Sequence, residues 1–179
     1  MTPPPTLEAH PGHSDPSTRE ALRRARLDRQ ERPQLPPVRG LFPRHRARGF
    51  VAQMAASDDA LSAVRKLTAT VPVQYGADSA TAEAAELVVS ELISNAVKAC
   101  GDGTLLFVEV HVTDASITVA VHDSRGDLPL DRSEAAMDSA EAESGRGLYL
   151  LDVLAPGWTV APSPIGKQVR CQVRALAAA

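Results

Sequence analysis

The chain has 179 residues, 44% of them hydrophobic, which is enough for one good core but hardly for two. The net charge of −3 is unevenly spread: residues 1–46 hold nine Arg against five Asp and Glu, a surplus of +4, and residues 47–179 hold ten Lys and Arg against 17 Asp and Glu, a balance of −7. An acidic domain behind a weakly basic tail argues against a general nucleic-acid-binding face, and the lack of any run of about 18 apolar residues or of an N-terminal h-region argues against a membrane span or export and for a cytoplasmic protein.

Residues 1–43 read as a disordered Pro/Arg-rich tail, since prolines at 3, 4, 5, 11, 16, 33, 36, 37 and 43 interrupt them and large apolar residues are few. Within this tail, Ser17 and Glu20 have capping-box spacing and no breaker follows until Pro33. That stretch is either a basic arm for a partner or a fraying solvated helix. The domain proper is expected over residues 44–176. Gly49 to Ala56 suits a first strand, and Asp58 to about Thr70 a helix in which Leu61, Val64 and Leu67 recur at helical spacing, stopping near Pro72.

Asp78 or Ser79 can cap a second helix running to Cys100, with Gly101-Asp-Gly ending it. At roughly 100° per residue, with Glu91 at zero, Asn95 falls at about 40° and Lys98 at about 340°. Val89, Leu92, Ile93, Ala96, Val97 and Cys100 fill the opposite arc. A carboxylate, an amide and an ammonium thus share one face. They can act as a general base, a metal-ligand oxygen and a phosphate partner, or they can form a solvated helix face.

Leu106, Val108, Val110 and Val112 alternate with Phe107, Glu109, His111 and Thr113, the pattern of a strand with one buried face. In the next strand, Ile117 to Asp123, the row Ile117, Val119, Val121 ends in Asp123. A carboxylate at the end of an apolar row needs a donor. A purine exocyclic amine would serve, and so would the turn through Ser124 to Gly126 by an Asx-type bond.

Leu130 to Glu143 is rich in acidic residues and lacks an apolar period, as a disordered connection or a functional lid would be. Ser144-Gly-Arg-Gly then leads into Leu148, Leu151 and Leu154 at helical spacing. Glycines that bare backbone amides at the positive end of a helix make an anion site, although glycines for close packing at a helix entry look the same. Gly157 to Ala161 suits a short strand with Trp158 and Val160 on one face. In the last strand Lys167, Val169, Cys171 and Val173 share a face, with Lys167 placed to lean over a pocket mouth. Cys100 and Cys171 read as buried inert thiols, and the five histidines as structural or solvated.

Three segments in this order, Glu91 to Ala99, Val121 to Pro129 and Glu143 to Leu151, resemble the N-box and the two glycine boxes of the GHKL (histidine-kinase-like) ATPase superfamily. Within it, the chain is similar to the small bacterial anti-sigma-factor serine/threonine kinases and their ATP-binding relatives, over about residues 41–175. The resemblance implies an α/β two-layer sandwich of the Bergerat type, with a mixed, mainly antiparallel sheet, helices on one face and ATP between them. It further implies Glu91 as catalytic base, Asn95 as the Mg²⁺ ligand and Lys98 at the phosphate end. Asp123 would select adenine, Gly126 would allow close backbone approach, Gly145, Arg146 and Gly147 would wrap the phosphates, and Lys167 would be a further nucleotide contact. The partner implied is a protein antagonist, a sigma factor, or both, with no nucleic acid or membrane; whether the chain forms a homodimer is left open. The chain departs from well-studied kinases of this kind at Glu143, where an arginine serves the γ-phosphate. An ATP-dependent binding module, or an ATPase subunit of a signalling assembly, is the alternative.

Overall fold

The computed structural model describes residues 37–126 and 142–175, the side chains of 142–146 excepted. In chain order the elements are β1 (Leu41–Arg46), β2 (Gly49–Ala55), α1 (Asp58–Gln74), α2 (Ser79–Cys100), β3 (Leu105–Val112), β4 (Ser116–Asp123), α3 (Ala142–Leu154), β5 (Thr159–Ser163) and β6 (Gly166–Arg174). The strands form one six-stranded sheet in the order β1-β2-β3-β4-β6-β5. Every pairing in it is antiparallel, so the parallel component of a mixed sheet does not occur among the described residues.

The core lies between the sheet and the helices. Phe50, Ala52 and Met54 of β2, Leu106, Val108 and Val110 of β3, and Ile117, Val119 and Val121 of β4 are buried on one face, as are Val169, Cys171 and Val173 of β6. Val64, Leu67 and Val71 of α1 and Val88, Val89, Leu92, Ile93 and Ala96 of α2 belong to the same cluster. The parity expected for β3, β4 and β6 is therefore the parity observed. This is a two-layer α/β sandwich, one open sheet with its helices on one face.

Local chemistry sets the helix ends. The Ser57 hydroxyl accepts from the Ala60 amide at 3.3 Å and caps α1. At the start of α2, the Asp78 carboxylate accepts from the Thr81 amide at 2.8 Å and from the Thr81 hydroxyl at 2.6 Å. The Thr81 hydroxyl first, and then the backbone amide, hold the Asp78 carboxyl below the usual carboxylate range. Gly101, at φ 91°, ends α2 and donates to the Val97 carbonyl at 2.7 Å.

Three sequence expectations shift. The first strand is β1, whose residues 41–43 belong to the stretch read as tail and whose residues 44–46 precede the strand expected first. It occupies the sheet edge, where Pro43 withholds no ladder bond that a central strand would need. Helix α1 runs past Thr70 and takes the buried Pro72 into its last turn, ending two residues later at Gln74, as an interior proline that can neither donate nor clear the preceding turn requires. Strand β5 starts at Thr159, with Val160 40% exposed and not paired on one face with buried Trp158. The Trp158 indole donates to Asp152 of α3 at 2.9 Å, which holds it to the helix ahead of the strand.

The other sheet face is partly polar, carrying Glu109, His111, Thr118, His122, Gln168 and Arg170. His122 Nε2 lies 3.5 Å from Glu109 Oε1 and 3.0 Å from Gln168 Nε2, while His111 is exposed opposite Thr118. Burial pushes the Cys171 thiol up to about 12, so it stays neutral, whereas Cys100 is only half-buried. Among the described residues no helix is long and apolar enough to cross a membrane.

Candidate functional site

Helix α2 turns its apolar arc to the core and leaves Glu91 and Asn95 half-buried, one turn apart on the other side. They face α3. A Cβ built on Gly147 would stand 2.5 Å from Glu91 Oε2 and 3.8 Å from Asn95 Nδ2. A side chain at 147 would therefore have to push the carboxylate aside, so glycine here leaves Glu91 where it lies between α2 and α3. The second glycine box and the N-box thus meet in space as well as in resemblance.

Asn95 Nδ2 is buried and has no hydrogen-bond partner among the described residues. An unpaired buried amide costs stability and needs a reason. A terminal amide can turn to present its oxygen as readily as its nitrogen, so Asn95 is equipped to hold a ligand or a metal ion. The described residues contain no group of three or more His, Cys, Asp or Glu side chains able to hold a metal by themselves. A single amide oxygen suits Mg²⁺, which keeps waters, takes one or two protein oxygens and completes its shell with phosphate. Asn95 would be the protein's ligand, and the ion would supply charge neutralisation at the phosphates. Lys98 is exposed a turn further on.

The glycine box itself is placed differently from the expected loop ahead of a helix. Helix α3 starts at Ala142, so Gly145, Arg146 and Gly147 lie inside it. Only the first four amides of a helix are free, which takes the Gly147 amide out of that set. The role that remains to Gly147 in this arrangement is close packing. The side chain of Arg146 and the expected lid, residues 130–141, lie outside the described residues.

Asp123 and Lys167 form the second cluster. They are opposed in the β4–β6 register and are 2% and 6% exposed, with Lys167 Nζ 3.3 Å from Asp123 Oδ1. The same oxygen accepts from the Arg125 amide at 2.9 Å, so the Asx-type turn bond is made. Lys167 therefore does not lean over a pocket mouth. A carboxylate directly across the ladder draws its ammonium into the buried layer.

Two neighbours of this pair have structural roles that the sequence did not assign. Gly166 has φ +148°, and a Cβ there would fall 2.6 Å from the Ser124 carbonyl carbon, so only glycine lets the start of β6 cross the turn after Asp123. Gly126 is under no such demand, since its Cβ would meet the Gly166 backbone no closer than 3.7 Å. Arg125 donates from Nη1 to the Ala99 carbonyl at 2.6 Å and so ties the Asp123 turn to the last turn of α2. A cation at a helix C-terminus is favourable there. The sequence signal was an arginine beside a turn, which says nothing of its distant partner.

The family model of the histidine kinase-like ATPase domain matches residues 54–173, and the chain belongs to that family. No curated protein matches the chain. Family membership supports ATP binding by this domain.

Proposed function

We propose that this is an ATP-binding regulatory protein of the anti-sigma-factor serine/threonine kinase type, which transfers the ATP γ-phosphate to a hydroxyl of a protein antagonist. The observation that carries the reading is Asn95 Nδ2, buried and without a partner among the described residues, one turn from the Glu91 carboxylate. A metal-ligand group and a general base set side by side are what phosphoryl transfer to a hydroxyl needs, because positioning and charge stabilisation supply most of the catalysis.

In this reading Glu91 orients the acceptor hydroxyl and takes its proton as the oxygen bonds to the γ-phosphorus and the bond to the ADP oxygen breaks. Asn95 holds Mg²⁺ against the phosphates. Lys98, Gly145 and Arg146 serve the phosphate end, and Asp123 accepts from the adenine amine. Gly126 leaves room for the nucleotide to approach the turn.

A second reading, an ATP-dependent binding module without transfer, is favoured by one feature. Gly147 of α3 sits directly on Glu91, and a base covered by a neighbouring helix is poorly placed to meet a hydroxyl from another protein. Incubating the full chain with γ-labelled ATP and candidate antagonists from neighbouring genes separates the readings. Label on a serine or threonine of a partner is the expected result. Bound nucleotide with no label transferred would leave the binding module, and label released only as free phosphate would leave an ATPase subunit.

A further inference from the structure

The helices pack on one face of the sheet and leave the other open. Cross-strand register sets the open face in rows. One row runs Phe42, Gln53, Phe107, His122 and Gln168 from β1 to β6, and the next runs Arg44, Val51, Glu109, Ala120 and Arg170. Phe42 is 64% exposed, and Leu105, two residues before Phe107 on β3, is 46% exposed. Exposed arginines flank this apolar strip, Arg44 and Arg46 on β1 and Arg170 and Arg174 on β6. None of the four makes an ion pair among the described residues. The one carboxylate that the strands turn to this face, Glu109, lies 3.5 Å from His122 Nε2.

The charge of this face is the reverse of the domain's. Residues 47–179 hold ten Lys and Arg against 17 Asp and Glu, whereas the strands turn four Arg and one Glu to the open face. Arginine and exposed aromatic residues without lysine are also what protein interfaces select from general surface. A second copy of the chain would bring the same four arginines opposite, so like charges oppose a face-to-face pair. A long polyanion would meet the repulsion of the acidic domain as a whole. A short acidic segment feels chiefly the charges within a screening length of about 8 Å, and those are the arginines.

We propose that the open sheet face docks a protein partner that presents an acidic segment with an apolar anchor. The anchor lies over Phe42, Leu105 and Phe107, and the carboxylates on either side of it pair with the arginines of β1 and β6. At about 4.8 Å per strand, β1 and β6 stand roughly 19 Å apart across the sheet. About six extended residues running across the strands span that distance. Glu91 and Asn95 are on α2, on the other side of the sheet, so a partner seated here does not compete with a nucleotide there. The inference does not depend on ATP binding.

Fluorescence anisotropy on the full chain tests this with a labelled peptide of alternating Glu and Leu around a central Phe, and with the same peptide carrying Lys in place of Glu. The wild type should bind the acidic peptide and not the basic one. Affinity should fall as salt is raised, and saturating Mg-ATP should leave it unchanged. Arg44→Glu combined with Arg170→Glu should weaken binding about tenfold or more, and Phe42→Ser should weaken it with the arginines intact. Lys66→Glu, which reverses an exposed charge on α1, should not. The substituted side chains are all exposed, so folding is not at stake. Failure to bind the acidic peptide, equal binding of both peptides, displacement by Mg-ATP, or undiminished affinity in the double reversal would overturn the proposal. A single-stranded oligonucleotide that outcompetes the peptide would make the face a nucleic-acid surface instead. A dimer in sedimentation that the double reversal dissociates would make it a self-association surface, and either result overturns the proposal while leaving ATP binding untouched.

Discussion

Glu91→Gln is expected to keep nucleotide affinity and to lose most phosphoryl transfer. The substitution preserves length and helix propensity in the middle of α2. It also leaves a side chain of the same shape against Gly147, where Glu91 Oε2 now sits. What it removes is the ability to take a proton. A positioned general base contributes on the order of 10²- to 10⁴-fold, and the loss of rate should fall in that range with little change in binding. Rate and affinity have to be measured together, by label transfer and by calorimetry. Undiminished transfer by Glu91→Gln would make the carboxylate structural.

Asp123→Asn is expected to act on stability and on binding at once. Asparagine can still accept from the Arg125 amide through its oxygen, so the turn should survive. Its neutral amide leaves the Lys167 ammonium buried without a counter-charge. Breaking a buried pair by removing one partner costs about 3–5 kcal/mol, and that loss should appear in denaturant unfolding. Nucleotide affinity should fall by a further 1–3 kcal/mol, roughly the cost of disturbing a buried charge-assisted bond. ATP affinity unchanged in a variant that remains folded would remove Asp123 from the site, and unchanged stability would mean that water reaches Lys167.

What could be read from the sequence was what is written locally. Helix α2 has a capping aspartate at Asp78 and a terminating glycine at Gly101, and both do the work expected of them. The rows of β3, β4 and β6 follow from strict alternation, which gives Asp123 and Lys167 the parity of the buried residues. The misreadings needed long-range information. β1 was hidden because Pro43 and its arginines look like tail, and only its pairing with β2 at the sheet edge makes it a strand. Lys167 looked too hydrophilic to be buried until the register set Asp123 against it. The glycine box suggested a loop, yet Gly147 lies in a helix against the Glu91 carboxylate of another helix, 56 positions earlier in the chain. Arg125 likewise acquires its meaning only from the Ala99 carbonyl it reaches.

The central claim is that ATP binds with Mg²⁺ on the Asn95 face of α2, and one titration addresses it directly. The full chain is titrated with ATP by calorimetry in the presence of Mg²⁺ and again with the metal chelated, for the wild type and for Asn95→Ala. The wild type should bind more tightly with Mg²⁺ than without it, and Asn95→Ala should bind equally in both conditions, because the amide that would hold the ion is gone. A wild type that does not bind ATP, or an Asn95→Ala protein whose binding depends on Mg²⁺ as much as the wild type's does, would contradict the account.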